Sequence, residues 1–557
     1  MTDHYAGLNR VVLPPSTALN HPHTNGAAPD LQKRRGGYYT PDVIGHVLAQ
    51  WAIKTPNAQV LEPSAGDGQL VAAATHHLRG HGWITAVELY GDEAKKIAIK
   101  GGNQTTIVTG DFFRWFQRNR PDGSYDTVLG NPPFIRYQHF CEEHRSAAFA
   151  LMREEGLHPS RLTNAWLPFV AVATQALRPG GRLALVLPAE LLQVTYAAEL
   201  REYLARKYSH LTVVTFRRIV FAGIQQETIL LLGVRGDSPG ARMSFVELDG
   251  LDDLCVDCLA ASEPVEVDLD HAREKWTQYY LSPGELSLIR ELEASPMFAR
   301  LGQLAEIDVG IVTGRNDFFV LTEEEARQRG IREWCLPLVG RSAQIPGLIL
   351  RRDEWERMTA ANGKCLLLQL GNRDRRALSE AALSYVEFGE RAGFSDGYKC
   401  RIRLPRWWNV PTTWVPDAFL LRQIYDGPRI ILNQAATTCT DTIHRVRTRQ
   451  GVDPASLAAA SMNSLTYAFA EIRGRSYGGG VLELEPTEAE GLPFPKPEPS
   501  VYVDDLHTWA RTNGVESTLA EVDRQVLLPT GLSNGDIEML RGIWRKLYQR
   551  RMSRKRR

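Results

Sequence analysis

The sequence predicts an α/β protein with a second, mixed α/β region, and three observations predict it. Between Gly36 and Val234, short apolar runs of strand length alternate with helix-like stretches. That is the pattern of a sheet covered on both faces. Apolar residues make up 43% and charged residues 23%, the balance of an ordinary globular chain, which excludes a collagen-like or wholly disordered one. At roughly 150 residues per domain, the 557 residues are too many for one core.

Seven runs read as strands: Gln59–Glu62, Trp83–Leu89, Thr105–Val108, Thr127–Leu129, Arg182–Leu187, Leu211–Phe216 and Thr228–Val234. Asp42–Ile53, Gly68–Leu78 and Trp166–Leu177 read as helices between them. Residues 1–35, with Pro14, Pro15, Pro22 and Pro29 among Asn, Thr and His, read as a polar arm. The α/β domain is expected over 36–236. A connecting region of acidic and apolar patches, with few clear elements, follows over 237–300. A second domain spans 301–495, and a helical segment occupies 496–557 after the hinge Pro493–Pro499. The helical stretches there are Val501–Thr512 and Gly535–Arg550. The last 17 residues, Arg541 to Arg557, hold nine Lys/Arg and no acid, and read as a phosphate contact or a solvated tail.

Lys+Arg and Asp+Glu both number 65, so the formal net charge is zero. This argues against a histone-like polyanion binder and leaves room for a local basic cleft. Seven cysteines are too few for a disulfide scaffold and fit a reducing cytosol. Cys255 and Cys258 form one C-x-x-C pair with no second pair at zinc-ribbon spacing, so two ordinary thiols and no metal site are expected. The N-terminus lacks an apolar signal region, and runs such as Leu183–Leu187 are too short to span a bilayer, so no membrane association is expected.

Leu61-Glu62-Pro63-Ser64-Ala65-Gly66-Asp67-Gly68 follows the first strand and opens a helix. Its Gly-x-Gly turn lets the backbone approach a ligand. Glu88 ends the next strand, where a carboxylate can accept from both hydroxyls of a ribose. Asp111-Phe112 stands at the end of the third, placed to take an adenine amino group and cover the purine. The third glycine of a dinucleotide fingerprint is missing, because position 71 is Val. Glu62 beside the turn repels pyrophosphate and suits amino and sulfonium groups. The cofactor expected is therefore S-adenosylmethionine rather than NAD, held by Glu62, Pro63, Ala65, Gly66, Gly68, Glu88, Asp111 and Phe112.

Asn131-Pro132-Pro133-Phe134, directly after a strand ending at Gly130, is the sharpest feature. Prolines donate no N–H, so their carbonyls and the Asn amide can face a guest. A planar exocyclic amine is a poor nucleophile, because its lone pair is delocalised into the ring. Accepting its two hydrogens at Asn131 and the Pro132 carbonyl biases the nitrogen toward tetrahedral geometry, and Phe134 can stack on the ring. The catalytic set expected is Asn131, Pro132, Pro133 and Phe134, acting by positioning and electrostatics.

In this order, Gly37-Tyr38-Tyr39-Thr40-Pro41, Glu62 through Gly68, Glu88, Asp111-Phe112 and Asn131-Pro132-Pro133-Phe134 resemble the gamma class of N6-adenine DNA methyltransferases of bacterial restriction–modification systems. The likeness covers residues 36–235 and, more loosely, 300–495. It implies a seven-stranded, mostly parallel Rossmann-like methyltransferase sheet with one antiparallel strand, and a C-terminal target-recognition domain. It also implies that Thr40 contacts the methionine carboxylate, and that Phe221, in Val220–Thr228, stacks on the far face of a flipped base. Phe134 stands where the family more often has Tyr, which keeps stacking and loses a hydroxyl. The activity implied is transfer of methyl to adenine N6 in double-stranded DNA after base flipping. Extrusion costs a few kcal/mol, offset by two aromatic contacts of about 1–3 kcal/mol each. A cognate endonuclease, a bacterial cytoplasmic location and a monomer complete the picture.

The second domain is too divergent to transfer base-reading residues, so its DNA contacts are read from charge alone. Lys399, Arg401 and Arg403 share parity, as do Arg445, Arg447 and Arg449, which in strands means one face. Arg475 lies by the flexible run Gly478–Gly480. Rival readings are N4-cytosine methylation, methylation of RNA or of a protein glutamine, and a DNA-binding subunit without catalysis.

Overall fold

The computed structural model describes residues 40–221, 227–236, 240–260, 262–266, 268–411, 414–477, 479–497 and 502–553. The arm 1–35, Gly37–Tyr39, Gly478 and residues 554–557 lie outside the described residues.

Eight strands form the large sheet: β1 (Gln59–Glu62), β2 (Trp83–Glu88), β3 (Thr105–Thr109), β4 (Tyr125–Gly130), β5 (Leu177–Pro188), β6 (Tyr208–Phe216), β7 (Thr228–Arg235) and β8 (Arg242–Leu248). Their order is β3-β2-β1-β4-β5-β7-β6-β8. β7 runs antiparallel to both its neighbours, and every other pairing is parallel. The expectation of seven strands is corrected to eight. β8 comes from the stretch read as lacking clear elements: its first buried residues, Met243 and Ser244, are followed by half-buried ones, so the alternation of an edge strand is blurred.

Successive residues of the central strands point to opposite faces, and each face builds its own core. Leu61, Val87, Val128, Leu183 and Leu185 belong to one buried cluster. Val60, Ala86, Leu129, Ala184 and Val186 belong to the other, under the helices Asp42–Ala52 and Gln69–Leu78. The first cluster runs on without a break through Trp276, Leu338, Phe419 and Trp544, so the sheet and the C-terminal half share one apolar core.

The C-terminal half is mixed α/β, as expected. A five-stranded sheet is ordered Ala305–Val309, Ile443–Thr448, Ala418–Leu421, Ile430–Asn433 and Ile349–Leu350. A three-stranded one joins Gln423–Ile424, Val481–Glu483 and Arg475–Tyr477. The final helix, Asn534–Met552, opens with a capping box on Ser533 and Asp536. No helix among the described residues is long and apolar enough to cross a membrane.

Two thiol and charge expectations change. Cys255 and Cys258 are joined as a disulfide rather than standing as separate thiols, since Val256 opens a short helix that brings them within bonding distance. In the described part of the basic C-terminus, Arg550 and Arg551 are turned inward rather than solvated. Arg551 is buried against Glu471, with Nη2 2.6 Å and Nε 3.1 Å from its carboxylate oxygens. Arg550 lies 2.5 Å from Glu247 and 3.3 Å from Glu227, with its guanidinium 3.6 Å from the centre of the Tyr280 ring.

Candidate active site

Three strand ends build the site. After β1 the chain turns at Gly66 (φ +54°) and Gly68 (φ +82°), a left-handed backbone that favours glycine. A Cβ on Gly68 would sit 3.1 Å from the Ile97 Cα, whereas one on Gly66 would meet nothing within 4 Å. Gly68 is thus needed for packing, and Gly66 leaves open space above the turn. After β2, the Glu88 carboxylate accepts from the Gly66 N–H at 2.8 Å and the Tyr90 N–H at 2.9 Å, locking the turn to the neighbouring strand. After β3, Asp111 caps the helix Phe112–Asn119 by accepting from the Arg114 N–H at 2.9 Å. Phe112 is buried and stacks on Phe169 at 5.4 Å and 10°.

β4 ends at Gly130 and delivers Asn131 to the same place. The Asn131 amide nitrogen donates to Thr40 Oγ at 3.2 Å. Ser64 Oγ donates to the Asn131 carbonyl at 3.4 Å, tying the first turn to the fourth strand end.

A cleft of about 290 Å³ is lined by Thr40, Glu62 through Asp67, Glu88, Asp111, Phe112, Asn131 and Pro133, among others. Its volume is near the lower end for small-molecule sites. Of the residues expected to hold a cofactor or react, the structure brings all but Gly68, Pro132 and Phe134 onto this lining. Gly68 serves the turn behind it, and Phe134 is half-buried against the main core. Phe221 is buried in the apolar cluster on the other sheet face and is not part of the lining; residues 222–226 lie outside the described residues.

The electrostatics are acidic and partly unanswered. Glu62 is buried, and its Oε2 has no hydrogen-bond partner among the described residues. Burial, with Glu88 and Asp67 nearby, holds its carboxyl well above the usual range. Burial also raises Glu88, against the pull of the Tyr90 and Gly66 N–H groups. Asp67 is partly neutralised by Lys100 at 2.8 Å. Such a lining suits a guest that is cationic at one end.

Ile135, His139, His144, Ala165 and Phe169 also line the cleft. None stood out in the sequence, because they come from the segment after the Pro-Pro turn, where no periodic pattern marks which side chains face inward. Among the described residues no cluster of His, Cys, Asp or Glu could hold a metal ion.

The expected DNA contacts fare differently. Lys399 and Arg401 sit on a short helix, Tyr398–Arg401, so the shared strand face is corrected: Gly397 begins a helical turn that places them on different sides. Arg403 donates to the carbonyls of Thr313 (2.8 Å) and Val312 (2.6 Å), bracing a loop. Arg445 does lie on a strand beside Arg447, but it is buried and paired with Asp308 at 2.6 Å. Arg475 is bound to Glu488 at 2.8 Å. Arg401 is exposed, and so is Arg447, over the Trp414 ring.

Comparison with known proteins gives two family matches. Residues 25–248 match the N-6 DNA Methylase family, and residues 273–527 match the family described as the C-terminal domain of type II methyltransferase M.Eco57I. The type II methyltransferase M.AccI of Acinetobacter calcoaceticus is 20% identical over 85% of this chain and 87% of its own length. The type II methyltransferase M.XamI of Xanthomonas campestris pv. amaranthicola is 22% identical over 84% and 86%. The solved type IIG restriction endonuclease BpuSI aligns over 94% of this chain and 67% of its own, at 12% identity and a TM-score of 0.39, a likeness too loose to bear on residue roles.

Proposed function

We propose, on the premise that this chain belongs to the N6-adenine DNA methyltransferases of type II restriction–modification systems, that it is a gamma-class enzyme using S-adenosylmethionine to methylate an adenine flipped out of double-stranded DNA. One observation carries the reading: the acidic ends of three strands, Asn131 and Pro133 line a single cleft.

The donor set fits the cofactor. S-adenosylmethionine supplies an electrophilic methyl group on a sulfonium. The orphaned oxygen of buried Glu62 suits a positive group. Each Glu88 oxygen already accepts one backbone N–H and keeps a second lone pair for a ribose hydroxyl. Asp111 and Phe112 suit the adenine ring, with Pro63, Ala65, Gly66 and Gly68 shaping the wall. Thr40 accepts from Asn131 and still has its own O–H to donate to a carboxylate. One hydroxyl thereby joins the cofactor end to the catalytic amide.

On the substrate side, the Asn131 side-chain oxygen and the Pro132 carbonyl accept the two amine hydrogens, and Pro133 stiffens the turn. Phe134 offers the stacking face. The division at residues 236, 300 and 495, a monomer working on duplex DNA, an endonuclease sharing its recognition site and residence in the bacterial cytoplasm belong to the same proposal.

The test is incubation with radiolabelled S-adenosylmethionine and mixed-sequence DNA, then nucleoside analysis. Label in N6-methyladenine is the expected result. Label in N4-methylcytosine, in RNA or in a protein glutamine overturns the substrate, and no label on any DNA while cofactor is bound overturns the reaction.

A further inference from the structure

A chain of hydrogen bonds leaves the cleft and crosses into the C-terminal half. It starts behind Ile135, which lines the cleft two positions beyond Pro133. The Ala165 N–H donates to the Ile135 carbonyl at 2.9 Å, and the Tyr137 N–H donates to Asn164 Oδ1 at 3.1 Å. Two adjacent residues therefore grip the backbone just past the Asn-Pro-Pro-Phe turn. Gripping matters there, because a loop has no ladder of its own to hold it.

The other end of the same amide faces away from the cleft. Asn164 Nδ2 donates to the Tyr196 hydroxyl at 2.9 Å and to Glu190 Oε2 at 3.3 Å, and the Tyr196 hydroxyl itself donates to Glu190. Glu190 opens the four-residue helix Glu190–Gln193, which follows β5. Its position is braced from behind: buried Arg201 donates to the carbonyls of Leu191 and Val194, both at 3.1 Å.

The last residue of that helix, Gln193, makes the crossing. Its Nε2 donates to the Ser476 carbonyl at 2.7 Å, and its Oε1 accepts from the Ser476 N–H at 2.8 Å. The side-chain amide thus pairs with strand 475–477 as a neighbouring strand does. Gln193 is buried, so losing either bond exposes a desolvated partner. Ser476 belongs to the hairpin Arg475–Tyr477 and Val481–Glu483, in the half that carries the exposed arginines named above.

We propose that Asn164 and Gln193 are positioning residues that tie the base-holding turn to the hairpin of the DNA-binding half. Duplex engaged by one half then meets a turn already set in place by the other. The inference rests on the function proposed above. Neither residue touches substrate; both act through the segment 135–137 and the helix between them.

The experiment uses full-length protein, with the adenine-containing duplex for turnover and, for base flipping, the same duplex carrying 2-aminopurine in place of the target adenine, whose fluorescence rises when the base leaves the stack. Asn164→Ala and Gln193→Ala are expected to keep cofactor affinity close to wild type, to lower the melting temperature by only a few degrees, as loss of a buried hydrogen bond does, and to lower kcat about 10²-fold, the cost of a misplaced reacting group. They are also expected to blunt the fluorescence rise, with little change in KM for DNA. Gln193→Glu keeps the acceptor and loses the donor, and is expected to fall between Gln193→Ala and wild type. Wild-type kcat and fluorescence in both alanine variants overturns the proposal, as does a loss seen only as lower melting temperature. If the wild-type protein methylates no DNA, the functional reading fails instead, and the two failures are distinct.

Discussion

The two halves of the molecule treat charge in opposite ways. Around the cleft, Glu88 is held by backbone N–H groups and Glu62 Oε2 has no hydrogen-bond partner among the described residues, while Asp67 meets a lysine, Lys100. In the C-terminal half, several buried guanidinium groups are answered by a carboxylate: Arg445 by Asp308, Arg551 by Glu471, Arg541 by Asp523. An open set of acids marks a place where a guest completes the electrostatics. A closed set marks structure. The difference explains why Arg445 and Arg475 are poor candidates for phosphate contact, despite the charge that recommends them in the sequence.

Substitutions can break this contrast, beginning at the cleft. Asn131→Ala removes the acceptor proposed for the target amine. Methyl transfer is expected to fall about 10³-fold, comparable to loss of one electrostatic stabiliser in a preorganised site, while cofactor binding by calorimetry persists. Retained turnover would falsify the assignment of Asn131.

On the closed side, Arg551→Met strands Glu471 without its partner. Unfolding in denaturant is expected to show a loss of about 3–5 kcal/mol, and the double change Arg551→Met with Glu471→Leu should recover much of it. Equal losses in single and double variants would mean that packing, not charge pairing, holds the final helix.

Glu62 tests the open side directly. Its folded carboxyl titrates above the unfolded value, so the folded state holds the proton to higher pH. Stability of the cofactor-free protein is therefore full below the ordinary glutamate range and declines as pH rises through the raised value. Glu62→Gln should flatten that decline and raise the neutral-pH melting temperature by about 2 °C. Cofactor affinity should drop about tenfold, ~1.4 kcal/mol. A variant that melts lower at neutral pH would show Glu62 to be structural.

The smallest effect belongs to exposed arginines. Arg401→Ala or Arg447→Ala should leave melting unchanged, weaken DNA binding uniformly across sequences and reduce the salt slope by about one. Arg445→Ala, by contrast, should destabilise the fold; if it only alters salt dependence, the division between open and closed charge is wrong.

How much could be read in advance follows the same lines. Most of β1 to β7 are legible because strands buried on both faces read as near-continuous apolar runs flanked by turns, while the partly exposed β3 is marked by its β-branched residues. β8 is not, because its second half is only partly buried and its identity comes from pairing with β6. Glu62, Glu88, Asp111 and Asn131 are legible because each stands at a strand end, where chain direction alone places it at the same edge of the sheet. Ile135, Asn164 and Gln193 are invisible, since their roles depend on contacts between segments far apart in the chain.

The sequence by itself determined the doubly covered sheet, the acidic turn and the Asn-Pro-Pro-Phe hook, because local periodicity and backbone chemistry act over a few residues. Only the tertiary structure decided which arginines face solvent, that Arg550 packs on Tyr280 and Arg551 beside Glu471, and that Phe221 packs inward. A charge has the same sign in any sequence. Whether it meets a partner or water depends on the packing of segments hundreds of residues apart.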